Sequence, residues 1–279
     1  MISTSDTVQE FGAAHSAPLL KIETERATCL LSLCGAHVLS YQAKSREPLL
    51  WVSPHAIFDG SVPIRGGIPV CAPWFGLNQR HHGKLKHGFV RTRLWSIVQK
   101  TDDSVLLEYQ STDDDLARYT RPFTAQLKVS VGEGLRLDFS ILNRSHKPMP
   151  FSWALHSYHP VSELAACKVT GLDGCEYLDN TKGLSRKRQA GDVGFAGELD
   201  RIYLNVPNEQ QIDHKIKVSA ENAPTAIVWN PGEKLGENMA DVQDSWSQYI
   251  CLERGAAFDN DIKLAAGDTM SATVELGYC

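Results

Sequence analysis

Apolar and polar residues alternate with a period of two along much of this chain. Leu20-Lys21-Ile22-Glu23-Thr24 does so, as do Ser104–Tyr109, Thr124–Val131 and Leu135–Ile141, and such alternation marks strands with one buried face. The last two runs are joined by Gly132-Glu133-Gly134, a short glycine-containing hairpin connection. Further runs of strand character are Thr28–Leu33, His37–Gln42, Leu94–Val98, Phe151–His156, Lys215–Ala220, Ala226–Trp229, Tyr249–Glu253 and Met270–Leu276. Helical periodicity is confined to single turns at Asp113–Tyr119 and Met239–Asp244. So many strands with so little helix between them exclude βαβ units and a parallel sheet. They predict an all-β protein, a single large antiparallel β-sandwich over residues 19–279 behind a polar lead-in at 1–18. Asn180–Gly197 reads as a surface loop. Residues 53–93, rich in Pro, Gly, His and Arg, read as an elaborated loop of the kind that carries function.

Composition narrows the partners. The chain has 279 residues, 42% of them apolar, and 28 Lys and Arg against 33 Asp and Glu give a net charge of −5. That is enough apolar material for a large core, and it offers no bulk attraction to nucleic acid or an anionic membrane. A bound anion would therefore be held by a few placed groups. No run reaches the roughly 18 apolar residues of a membrane helix. The N-terminus lacks the basic start and apolar stretch of a secretory signal. Seven cysteines (29, 34, 71, 167, 175, 251 and 279) form no CxxC pair, which fits reduced thiols in the cytoplasm. Without GxxxxGK or GxGxxG, a nucleotide cofactor has no support.

Four segments hold residues suited to chemistry. In Ile64-Arg65-Gly66-Gly67-Ile68-Pro69 two glycines let the backbone approach a ligand beside a guanidinium fork. In Lys86-His87-Gly88-Phe89-Val90-Arg91-Thr92-Arg93 an imidazole and an arginine share one rim, and two arginine forks brought together suit a phosphate dianion. Along Phe151–Pro160, Ser152, Ala154, His156 and Tyr158 share one face of a strand, while Phe151, Trp153 and Leu155 face the core. Glu253 lies on the Tyr249 and Cys251 face of its strand, where a carboxylate is costly to desolvate without a partner. A histidine and a carboxylate can serve opposite ends of one bond as acid and base. Metal binding by His81, His82, His87, His156 and His159 finds little support: there is no HExxH, and 156 and 159 project to opposite strand faces.

These segments, in this order, resemble the aldose 1-epimerase superfamily, most closely its hexose-6-phosphate mutarotase (glucose-6-phosphate 1-epimerase, YeaD-like) branch. The similarity is carried by Gly35–Tyr41, Leu50–Pro54, Ile64–Gly76, His87–Trp95, Ala154–Val161, Gly171–Gly174, Asp200–Tyr203, Val228–Pro231 and Cys251–Glu253, and extends from about residue 19 to the C-terminus. It implies a galactose mutarotase-like β-supersandwich that interconverts the α and β anomers of a hexose 6-phosphate, with no cofactor and no metal. On this resemblance His156 is the general acid at the ring oxygen and Glu253 the base at the anomeric hydroxyl. Arg65 and Arg91 match phosphate-binding arginines, His87 a sugar-hydroxyl contact and Asp200 an acidic residue lining the cleft. The chain departs from its relatives at His159, where an aromatic residue is common, and at Arg254, which strand alternation directs away from the site. The alternatives are a mutarotase of unphosphorylated aldoses and a non-catalytic carbohydrate-binding module. The arginine pair argues against the first and the retained acid/base pair against the second. The expected partner is a hexose 6-phosphate, without nucleic acid or membrane, in the cytoplasm; the sequence leaves the oligomeric state open and favours a monomer.

Overall fold

The computed structural model describes residues 1–77 and 85–279. Among the described residues the strands form an eight-stranded and a nine-stranded sheet, with smaller sheets of four and two strands. Their ladders are antiparallel. The all-β sandwich expected from the alternation is what the chain adopts. The glycine hairpin is also where the pattern puts it: Phe123–Val131 pairs with Leu135–Asn143, Val131 opposite Leu135.

The eight-stranded sheet runs Ser185–Arg188, Glu176–Asp179, Leu199–Leu204, Thr225–Asn230, Tyr249–Ala256, Trp153–Leu155 and Val70–Cys71, with Tyr158–Pro160 pairing further along Tyr249–Ala256. Its inner face packs on the nine-stranded sheet, where the Phe139 and Trp153 rings lie 4.9 Å apart. Ile250, Leu252 and Ala256 belong to this core, while Tyr249 and Cys251 sit in a separate apolar cluster. The strand alternates as its sequence requires. Each fully buried Leu, Ile or Phe contributes on the order of 1.5–3 kcal/mol. Arg254 follows the inward set. It is buried and donates to the carbonyls of Asn208 and Ala223 and to the Gln210 side chain, at 2.7–2.9 Å. Burial lowers its pKa to about 10, so it is a cation at neutral pH, pointing away from Glu253 as alternation predicts.

Three expectations need correction. Residues 1–18 are not a mere lead-in: Ile2–Asp6 pairs with Pro18–Glu23, and a short helix, Thr7–Phe11, is capped by Asp6. Asn180–Gly197 is not a loop throughout, because Ser185–Arg188 forms the rim of the eight-stranded sheet and Val193–Gly194 pairs in the nine-stranded one. Both segments are edge strands rich in polar side chains, which guard an unpaired edge and carry no period-two signal. The strand expected at Leu94–Val98 spans Ser96–Lys100 instead, exposed along its length.

Two histidines are locked neutral in the interior. His37 Nε2 donates to the Gly66 carbonyl at 2.7 Å and His159 Nδ1 to the Leu49 carbonyl at 2.9 Å. Burial pulls both pKa values down to about 4. Between pH 6.5 and 4 the unfolded chain takes up protons at these positions and the folded chain does not. Stability present above pH 6.5 is therefore lost as pH falls, by about 1.4 kcal/mol per pH unit per histidine. Urea midpoints should fall from pH 7 to pH 5, and His159→Asn should flatten that slope; a variant with the unchanged slope would contradict the assignment.

Candidate active site

Register alone brings the histidine and the carboxylate together. Leu155 pairs with Arg254 and Tyr158 with Cys251 in one continuous register, which sets His156 opposite Glu253. Across the outer face the sheet presents three rows. One is Cys71, Ala154 and Gly255. The middle one is His156, Glu253, Ile227 and Ile202, and the third is Tyr158, Cys251, Trp229 and Asp200.

In the middle row His156 Nε2 lies 3.3 Å from Glu253 Oε1. Both side chains are buried, and the other polar atom of each, Nδ1 and Oε2, has no hydrogen-bond partner among the described residues. Burial pushes Glu253 well above the usual carboxylate range, reinforced by the Asp200 charge and opposed by Arg91. His156 is pushed well below the usual imidazole value by burial, with His87, Arg91 and Arg65 adding to it. Each group is driven toward its neutral form, as expected where water is excluded.

The surrounding rings fix the imidazole. It stacks on Tyr158 (centroids 4.9 Å, 15°), with Trp229 and His87 edge-on at 6.2 Å and 5.6 Å. Trp51 stacks on Tyr249 at 4.1 Å and extends this aromatic wall. His87 accepts from the Gly76 N–H through Nδ1 at 3.4 Å, so its Nε2 carries the proton. Burial and the cations Arg91, Lys86 and Arg65 lower its pKa to about 3. His87 is thus a neutral donor suited to a sugar oxygen. Asp200 accepts from Asn180 Nδ2 at 2.6 Å and is raised by burial.

The loops that supply the cations depend on close backbone approach. A Cβ on Gly67 would lie 2.3 Å from the Val38 carbonyl oxygen, and the Gly67 carbonyl accepts from Tyr158 N–H at 3.0 Å. The Arg65 guanidinium forks onto Asp241, Nε to Oδ2 at 3.0 Å and Nη2 to Oδ1 at 3.3 Å, while Nη1 donates to the Tyr158 hydroxyl at 3.0 Å. Arg91 lies in a single 3-10 turn, Val90–Thr92, and donates through Nη2 to the Lys86 carbonyl at 2.9 Å. Its Nε is buried without a partner among the described residues. Arg93 turns away to Asp115 at 2.7 Å.

All six residues singled out from the sequence thus lie in one electrostatic neighbourhood. Asp241, Lys86 and Trp229 were missed. Asp241 sits in a polar turn where one more carboxylate has no distinguishing pattern. Lys86 and Trp229 lie within quoted motifs but carried no role of their own. A cavity of about 570 Å³ opens beyond Phe75 and Phe258, and its lining includes neither His156 nor Glu253. Among the described residues no three His, Cys, Asp or Glu gather as metal ligands; His81 and His82 lie outside the described residues.

A family model described as aldose 1-epimerase matches residues 18–277. The chain belongs to the aldose 1-epimerase family. A protein of Cenchrus ciliaris named "Putative glucose-6-phosphate 1-epimerase" is 35% identical over 276 residues, covering 88% of this chain and 82% of its own. One of the same name from Escherichia coli K12 is 30% identical, covering 86% and 83%. The crystal structure of YeaD from Salmonella typhimurium, titled a "putative mutarotase", superposes with a TM-score of 0.82 at 27% identity, over 94% of this chain and 91% of its own.

Gly88 tests how tightly the cation loop is built. Its φ is +65°, and a Cβ there would lie 1.8 Å from the Ala72 carbonyl oxygen. Gly88→Ala should cost at least about 2 kcal/mol of unfolding free energy and displace His87. A melting temperature equal to the parent's would show that this approach is not required.

Proposed function

We propose that this epimerase interconverts the α and β anomers of glucose 6-phosphate, with His156 and Glu253 as its acid/base pair. The observation that carries this reading is the 3.3 Å contact between His156 Nε2 and Glu253 Oε1 on a buried sheet face. The names of the relatives supply the substrate class. A sugar-binding module needs no such contact, whereas ring opening needs one proton given and another taken.

In the opening half-reaction the 156 imidazolium gives its proton to the ring oxygen, and the 253 carboxylate takes the proton of the anomeric hydroxyl. The C1–O5 bond breaks with its electron pair going to O5, and the C1–O1 bond becomes a carbonyl. Rotation about C1–C2 presents the other face. The O5 hydroxyl then attacks C1 and returns its proton to His156, while Glu253 reprotonates O1. One proton shared by the pair suffices, and no electrons leave the sugar. Burial favours the neutral imidazole with the neutral carboxyl, which is the form that accompanies the open aldehyde. A bound dianion offsets the cations that depress His156 and, by offsetting Arg91, raises Glu253 as well, so the pair continues to share one proton.

Arg65, His87, Arg91 and Asp200 are the proposed substrate contacts. Arg65, Lys86 and Arg91 surround His87 with positive charge, an environment suited to a phosphorylated rather than a neutral sugar. Seven free thiols accord with a cytoplasmic setting. No helix of the described residues is long and apolar enough to cross a membrane.

NMR exchange spectroscopy on glucose 6-phosphate reads the reaction directly. His156→Ala and Glu253→Gln should each slow anomer exchange by about 10²–10⁴-fold, while binding of the sugar phosphate persists. Parental exchange in either variant would reject these roles.

A further inference from the structure

The proton pair does not use the whole of its sheet face. Ser152 follows Ala154 and His156 on that face, where its Oγ accepts from the Phe75 N–H at 3.0 Å, and it lines the cavity of about 570 Å³. Ser152 and His156 are four residues apart in the chain, so their Cα atoms lie at most about 14 Å from each other. The cavity is therefore a neighbour of the cleft, and its volume is in the range of small-molecule sites. Phe75 stands between the two. Its ring meets His87 edge-on at 4.6 Å and Phe258 at 6.3 Å.

Two features of the lining point to a ligand. Phe258 holds φ at +57°, a left-handed backbone conformation uncommon for an aromatic residue. Its neighbours impose it: Asp259 is held by Arg186 at 2.6 Å, and Asn260 Nδ2 donates to the Thr225 hydroxyl at 3.0 Å. Backbone strain of this kind collects at ligand sites, and here it sets the Phe258 ring in the cavity wall. Arg121 supplies the second feature. Its Nε donates to the Pro148 carbonyl and its Nη1 to Thr120, while Nη2 has no partner among the described residues and no carboxylate among them pairs with it.

The lining also selects a class of ligand. Asp259 and Asp261 oppose an anion, and Arg121 opposes a cation. Vicinal hydroxyls suit both, since they donate to a carboxylate and accept from a guanidinium. Phe75 and Phe258, each half-buried, offer ring surface to the apolar face of a pyranose. We propose that this cavity is an accessory subsite for an uncharged hexose unit, beside the acid/base cleft and distinct from it. It extends the phosphosugar reading above without depending on it.

Methyl α-glucoside is the probe, because its blocked anomeric carbon prevents turnover. Saturation-transfer NMR should show it bound to the parent with a millimolar Kd, and bound equally well in His156→Ala. Arg121→Ala and Phe258→Ala should each weaken it by about 10-fold or more. Arg121 is only half-buried, so its variant should fold even if the Phe258 turn tolerates no change. Glucose 6-phosphate added to fill the cleft should leave the glucoside signal in place. No binding in the parent, loss in His156→Ala or unchanged affinity in Arg121→Ala would each overturn the subsite, as would displacement by glucose 6-phosphate. Glucoside binding that depends on Arg121, in a parent that exchanges no glucose 6-phosphate anomers, would support the subsite and reject the proposed reaction.

Discussion

The site depends on keeping one carboxylate out of water. Glu253 lies in the strand Tyr249–Ala256, buried over its whole length, and a carboxylate there is held near neutrality by desolvation unless a cation or a proton donor reaches it. His156 is that donor, set opposite by the register of two neighbouring segments. Because sheet register is discrete, a slip of one residue would turn either side chain to the other face. The proton pair is therefore as well defined as the fold itself. It needs no loop closure to assemble.

The same strand carries opposite chemistry on its two faces. Glu253 faces the cleft, and Arg254 faces the core, where three acceptors from the nine-stranded side hold it without a carboxylate. Removing one partner from such a buried charge is costly, so Arg254 ties its strand to the opposite sheet at the residue next to Glu253. The electrostatics of the cleft come instead from the irregular segments around residues 65 and 86–91. The sheet supplies position and the loops supply charge.

What could be read from the sequence follows the same boundary. Alternation assigned the faces of Phe151–Tyr158 and Tyr249–Arg254 correctly, because buried sheets impose a strict period of two. It missed Ile2–Asp6 and Ser185–Arg188, where solvent lies against the strand and polar side chains satisfy the edge. His156 and Glu253 were legible because each is a polar residue on a face otherwise small or apolar. Asp241 was not, since its importance arises from a fork with Arg65, 176 residues away in the chain. Pattern speaks where the backbone repeats. It is silent where a loop folds back.

That boundary bears on how an anion should affect the reaction. Burial, with the loop cations adding across space, depresses His156, while the sheet sets it 3.3 Å from Glu253. An incoming dianion that offsets Arg91 raises His156 and Glu253 together without moving any part of the sheet. Binding energy from the phosphate end, remote from C1, is thereby expressed in the protonation state of the acid and not only in affinity.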